Sequence, residues 1–273
     1  MSGVDPRLRE HLKVGKPSDG EFVAAAFGLV LRRPPDGEAR ERALAKLADG
    51  TLSRASLLQE LVTAGEFERV RQLDDMIAFA RGARARGERP RHLQAPPATD
   101  ERLVEVPWVL SRLRPGRLLE VGYAFAEPAY IAALVEASPD ELVGVDLAQA
   151  EVPGFETVVA DARALPFPDA SFDAIVSAYA IDHLSGTDIP KTLAEAARVL
   201  RPGGEFLLEV MYPDRWMKFA WGPMLLHGAS AARMRAAWPA RLEAAGFKVV
   251  EVGTAPITLY LRAVRPQSTQ TSE

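Results

Sequence analysis

From Gly116 onward, short runs of β-branched and apolar residues alternate with stretches of helical periodicity, and this alternation restricts the fold more than any other feature of the chain. Strands are predicted at Arg117–Val121, Leu142–Asp146, Glu156–Val159, Phe172–Ser177 and Glu205–Met211. A closing pair is predicted at Lys248–Val252 and Ile257–Val264. Between them the spacing predicts helices over Pro128–Ala137, Asp188–Leu200 and Ser230–Ala245, the last with Pro239 as a candidate break, and a short helical piece near Leu147–Glu151. Strands that are nearly continuously apolar need cover on both faces, and helical crossovers supply it. The predicted class is therefore α/β, with a doubly wound, mostly parallel sheet. Such sheets take their ligands beyond the carboxyl ends of the strands, where strand order reverses.

The first 86 residues read differently, as a small all-α module without a good strand. Ser18, with Glu21 three residues on, predicts a capped helix running to Leu31. Pro34-Pro35 stops it, Asp36 caps a second helix to about Ala48, and Ser53 caps a third carrying Leu57, Leu58, Leu61 and Val62. A fourth is read from Glu66 to about Arg86. Residues 87–99 are Pro-rich and aperiodic, a linker. The larger domain is read as 100–265. It opens with a helix bearing Leu103, Val106 and Leu110, in which Pro107 predicts a kink or a late start and Trp108 is read as core. Residues 266–273 form a polar tail expected to be disordered.

The absence of cysteine excludes disulfides, zinc–thiolate sites and thiol nucleophiles. The four histidines, His11, His92, His183 and His227, are never three or four residues apart, so no helix-borne histidine metal motif exists and no metal is expected. The longest apolar run, Phe22–Leu31, is ten residues, against about 20 for a bilayer span. With no apolar leader in the first residues, the expected location is cytoplasmic. Residues 1–99 carry 17 basic and 14 acidic side chains, and residues 100–273 carry 16 and 23. The small N-terminal excess is no nucleic-acid footprint.

The chemistry is expected at the strand ends. Leu118-Leu-Glu-Val-Gly122-Tyr-Ala-Phe-Ala leads from a strand through a small-residue turn into a helix, a place where backbone can approach a ligand closely. A dinucleotide fingerprint would put its three glycines at Gly122, Ala124 and Glu127. Glu127 would face a pyrophosphate with like charge, which argues against a nicotinamide dehydrogenase. Glu120, Asp146 and Asp161 fall at three successive strand ends. An acid after the second strand can accept from both hydroxyls of a ribose. The plainer reading is that these acids begin turns or cap helices.

Four segments resemble the motif series of class I S-adenosylmethionine-dependent methyltransferases, most closely the ubiquinone/menaquinone-biosynthesis type. They are Leu118-Leu-Glu-Val-Gly122, Gly144-Val-Asp146, Asp161-Ala-Arg-Ala-Leu-Pro-Phe-Pro-Asp-Ala-Ser-Phe-Asp173 and Arg198-Val-Leu-Arg-Pro-Gly-Gly204. The resemblance spans residues 100–264. It implies a Rossmann-like, seven-stranded sheet with an antiparallel last strand, and S-adenosylmethionine as cofactor. By the same resemblance, Glu120 lies near the methionine ammonium, and Gly122, Tyr123 and Ala124 wrap the methionine part. Asp146 holds the ribose with Leu147 beside it. Asp161 accepts from the adenine amino group, Ala162 offers its amide to the ring, and Ser177 to Tyr179 line the sulfonium end. The family's GxGxG loop reads Gly122-Tyr-Ala124-Phe-Ala126 here. Alanine disfavours positive φ, which leaves open a different loop path or weakened cofactor binding. Phe22–Leu31, Arg33-Pro-Pro-Asp36, Gly50-Thr-Leu-Ser-Arg54 and Gly65-Glu-Phe67 resemble a helical domain of unknown function found in bacterial surface and glycan-related proteins.

A base is needed only if the acceptor must lose a proton early. His183 follows the fourth strand and is the catalytic candidate, with a purely structural role as the alternative. Tyr212, Trp216, Trp221 and His227 sit in an aromatic and methionine-rich insert. They are candidates for a substrate wall or lid, or for covering a sheet edge or a subunit contact. The expected partner is a small-molecule or glycan acceptor, with a homo-oligomer left open. Two other functions stay in view: a degenerate domain acting as a binding or scaffold subunit, and a fold relative performing non-methyl chemistry.

Overall fold

The computed structural model describes residues 17–31, 34–89, 102–124, 126, 128–137, 141–150, 152, 154, 156–211, 231–254 and 258–267. The chain divides into two compact units between Asp75 and Met76.

In the first unit, α1 (Asp19–Val30) starts from a capping box. Glu21 N–H donates to Ser18 Oγ at 3.3 Å, and Ser18 N–H donates to a Glu21 carboxylate oxygen at 2.7 Å. Asp36 caps α2 (Gly37–Ala48) and Ser53 caps α3 (Arg54–Thr63). The long α4 (Gly65–Ala85) follows, and the division between the units falls within it. Phe22, Val23, Phe27, Leu57 and Leu61 form the centre of this unit's core. Arg54 lies over the Phe22 ring at 5.0 Å and bonds Asp19, covering one edge of that core.

The second unit contains a seven-stranded sheet in the order β3-β2-β1-β4-β5-β7-β6. Its strands are β1 (Arg117–Val121), β2 (Glu141–Asp146), β3 (Glu156–Val159), β4 (Phe172–Ala178), β5 (Leu200–Met211), β6 (Lys248–Thr254) and β7 (Thr258–Val264). β1 to β5 pair in parallel, and β7 runs antiparallel to both β5 and β6. Helices α5 (Arg102–Arg112), α6 (Pro128–Ala137), α7 (Ile189–Val199) and α8 (Ala231–Ala244) flank it. One face buries Leu119, Val121, Ile175, Phe206 and Leu208 together with Leu193 of α7 and Trp238 and Leu242 of α8. Strand order reverses between β1 and β4, which sets the ligand crevice at their carboxyl ends.

Several local expectations change. The short helix read near Leu147–Glu151 does not form among the described residues 147–150, where Leu147 and Ala148 make a bend. The Asp146 carboxylate accepts the Ala148 N–H at 3.0 Å, an Asx-type contact that competes with helical pairing. β5 begins at Leu200 rather than Glu205. Gly203 and Gly204 pair with Arg265 through Gly203 N–H to Arg265 O and Arg265 N–H to Gly204 O, extending the ladder past the glycines. Pro107 lies at the middle of α5 and does not delay its start; it removes one intrahelical bond there, and the buried Val106, Trp108 and Val109 anchor the helix on both sides of it. Pro239 does not end α8, where the buried Trp238 and Leu242 anchor the helix on both sides of it. Trp108 is buried, its ring 5.0 Å from that of Tyr260. Among the described residues no helix is long and apolar enough to cross a membrane.

Candidate functional site

A cavity of about 460 Å3 opens at the carboxyl ends of β1, β2, β3 and β4. Val121, Val145 and Ala160 supply its apolar floor. Of the residues singled out in the sequence, Gly122, Asp146, Leu147, Asp161, Ala162, Tyr179 and His183 line it. A volume of this order suits a nucleoside-sized ligand.

The loop after β1 is shaped by close approach. Gly122 has φ of 93°, and a Cβ there would lie 2.3 Å from the Cβ of Ala180. No other residue type fits that position without moving the wall. Ala124 does not have positive φ; among the described non-glycine residues only Ala170 and Tyr179 do. The loop thus follows a path on which alanine is unstrained, closed by Ala126 N–H donating to Tyr123 O at 3.1 Å. Tyr123 is buried, and its hydroxyl donates to Ala150 O at 3.2 Å and accepts from Ala150 N–H at 3.3 Å. It joins the loops after β1 and β2 and stays behind the cavity wall.

Asp146 ends β2 in the wall itself. Its carboxylate accepts Ala124 N–H at 3.1 Å on one oxygen and Ala148 N–H at 3.0 Å on the other. A carboxylate accepts about four hydrogen bonds, so acceptor capacity remains toward the cavity. Leu147, next to it, is 72% exposed, which leaves an aliphatic surface at the rim for a flat ring.

Asp161 is differently placed. Arg163 donates to it through its N–H at 2.8 Å, its Nε at 3.0 Å and its terminal nitrogen at 2.6 Å. These contacts hold the Asp161 carboxyl below its ordinary range. An adenine amino group would meet this carboxylate in competition with the Arg163 donors. Arg163 also meets Asp188 at 3.1 Å.

Glu120 is buried at 1% exposure and accepts the Tyr130 hydroxyl at 3.0 Å. It lies beneath α6 and outside the cavity wall, because residues alternate across a strand and Val121 takes the facing position. Burial pushes its carboxyl well above the ordinary range. Ser177 is wholly buried in β4 and also outside the wall. His183 closes a 3-10 turn, Ile181–His183, and is exposed at the rim. Tyr212, Trp216, Trp221 and His227 lie outside the described residues.

Ala180, Ile181 and Leu184 also line the cavity. The sequence reading named their neighbours and passed over them. The available signal was the pair of apolar residues flanking His183 in a segment that leaves a strand at the ligand edge.

Residues 119–208 match the family described as a methyltransferase domain. The chain is 38% identical over 118 residues to a ubiquinone/menaquinone biosynthesis C-methyltransferase of Methylobacterium nodulans, covering 38% of this chain and 46% of that protein. It is 37% identical over 106 residues to a demethylmenaquinone methyltransferase of Thermus thermophilus, covering 34% and 46%. It therefore spans less than half the length of these relatives. Among solved structures, the cyclase SpnF superposes with a TM-score of 0.50 at 18% identity, over 73% of this chain and 96% of that one, a likeness of fold. Residues 119–208, which run from β1 through most of β5 and hold the residues named as lining the cavity, are thus the part of the chain that matches a methyltransferase domain.

Proposed function

We propose that this protein binds S-adenosylmethionine in the β1–β4 cavity and transfers its methyl group in line to a small-molecule, glycan or secondary-metabolite acceptor. The observation that carries the reading is Asp146. Two backbone amides fix its carboxylate in the wall with acceptor sites to spare, beside the exposed Leu147. That arrangement suits a ribose diol and an adenine face. Gly122 brings backbone to the wall where a side chain has no room. The residues present fit the cofactor at its nucleoside end. At its methionine end the fit is looser, since Glu120 is turned under Tyr130.

The bound cofactor supplies a methyl group already activated by the sulfonium charge. The protein's part is to align acceptor and methyl and to keep water out. Asp146 holds the ribose hydroxyls, Leu147 covers the ring, and Ala162 presents its backbone beside it. Tyr179 and Ile181 wall the end away from the nucleoside. His183 stands at the rim, where its imidazole takes the acceptor's proton if one must leave. The glycan option rests on the resemblance of the helical unit.

Calorimetric titration with S-adenosylmethionine and S-adenosylhomocysteine tests the reading, with micromolar binding as the expected result. Absence of binding favours a degenerate domain serving as a scaffold, a reading motivated by alanine at positions 124 and 126. Binding followed by a product of unchanged acceptor mass would favour non-methyl chemistry instead.

A further inference from the structure

Tyr179 is the first residue after β4, and it lines the cavity with φ at 55°. Side-chain-bearing residues keep this left-handed conformation only where the surroundings impose it, and such residues cluster at functional sites. Three contacts impose it here. Its N–H donates to Glu209 O at 2.9 Å. Its hydroxyl bonds the carboxylate of Glu105, on α5, and the hydroxyl of Thr258, which opens β7. Thr258 Oγ1 in turn donates to the same Glu105 oxygen at 2.7 Å. Glu105 and Thr258 are 2% and 0% exposed, so a carboxylate is buried beside the cavity with two hydroxyls directed onto it. Burying a charge is costly unless it is hydrogen-bonded. Burial together with the Glu105 and Glu209 charges raises the Tyr179 hydroxyl far above its ordinary value and keeps it a donor.

We infer that Glu105, assisted by Thr258, is a positioning residue of the cofactor cavity: it clamps the Tyr179 hydroxyl so that the chain leaves β4 in the left-handed turn. The consequence runs directly into the wall. Ala180, whose Cβ faces Gly122, together with Ile181 and His183, follows from the direction the chain takes at Tyr179. The clamp draws on an α-helix and an antiparallel strand that contribute nothing else to the described wall. This inference rests on the cofactor reading given above.

The test is calorimetric titration with S-adenosylmethionine, beside thermal melting, on the full chain and its variants Glu105→Gln, Glu105→Leu, Tyr179→Phe and Tyr179→Phe/Glu105→Leu. Losing the charge-assisted bond is expected to weaken binding about tenfold in Glu105→Leu and Tyr179→Phe, with the double variant no weaker than the worse single one. Glu105→Gln keeps an acceptor oxygen and is expected to stay within about threefold of wild type. Variants that melt lower yet bind as wild type would reduce the cluster to a stabilising contact and overturn the proposal. If Glu105→Leu does not fold, Tyr179→Phe and Glu105→Gln decide: Tyr179→Phe binding like wild type, or Glu105→Gln losing as much as Tyr179→Phe, overturns it. A wild-type chain that binds no cofactor takes down the cofactor reading and the clamp together, whereas a binding wild type with unaffected variants removes only the clamp.

Discussion

Asp146 and Glu120 are both acids at strand ends, and their surroundings give them opposite characters. Asp146 keeps two backbone donors and faces the cavity. Asp146→Ala is expected to lose about 1.5–3 kcal/mol of S-adenosylmethionine binding, the range for hydrogen bonds to a charged group. Unchanged affinity by calorimetry would remove the ribose assignment. Glu120 has one neutral donor, Tyr130, and burial raises its carboxyl well above the ordinary range. The native state thus retains a proton that the unfolded chain releases near pH 4.3. Its contribution to stability is fullest below that value and declines as pH rises toward the raised native one. Glu120→Gln abolishes this dependence while keeping an acceptor for Tyr130. The variant is expected to melt above wild type at about pH 8 and to lose that advantage near pH 4. A difference independent of pH would contradict the burial account.

Three helices of the first unit start where side chains satisfy the first free backbone N–H groups. Ser18, Asp36 and Ser53 each cap a helix of the first unit as their sequence positions predict, because capping depends only on residues three apart. Ser18→Ala is expected to cost about 1 kcal/mol, read as a lower denaturant midpoint for the loss of helical signal from this unit. An unchanged midpoint would show the capping box to be redundant. The strand ends β1 and β3 were legible to the residue for a similar local reason: apolar runs bounded by glycine or acid. The missed start of β5 has a non-local cause, and the missing helix near Leu147 has one in addition to the local Asp146–Ala148 contact. Leu200–Gly204 is strand because Arg265 supplies pairing partners from over sixty residues away. Leu147–Ala150 is loop because the Tyr123 hydroxyl, from the preceding β–α turn, holds Ala150 by both its backbone groups.

At the scale of the molecule, any ligand that binds only the folded state is linked to folding. A ligand at about 100 times its dissociation constant stabilises the state that binds it by about 2.7 kcal/mol. S-adenosylmethionine is therefore expected to raise the melting temperature of the unit containing the sheet, with a shift that grows with ligand concentration. No shift at saturating ligand would count against a formed site. The chain's charge is also arranged at this scale. Beneath α5, Glu251 bonds the buried Arg112, and Glu205 meets Arg114 and Arg262. These pairs lie on the sheet face opposite the α7–α8 core and carry polar side chains into the interior without leaving the cations unmatched.

What the sequence alone determined was whatever periodicity and short spacing encode: alternating strands and helices, three helix caps, a glycine turn after β1 and an acid after β2. Those signals act between residues a few positions apart, and they suffice for the class of fold and the sheet edge at which the cavity opens. Tertiary structure alone decided which of the acids reaches the cavity. Glu120 and Asp146 look alike in sequence, yet strand alternation turns one under Tyr130 and sets the other in the wall. It also decided the partners of Tyr179, since Glu105 and Thr258 stand 153 positions apart. Only the packing of α5 against the antiparallel edge of the sheet brings their oxygens within hydrogen-bonding distance.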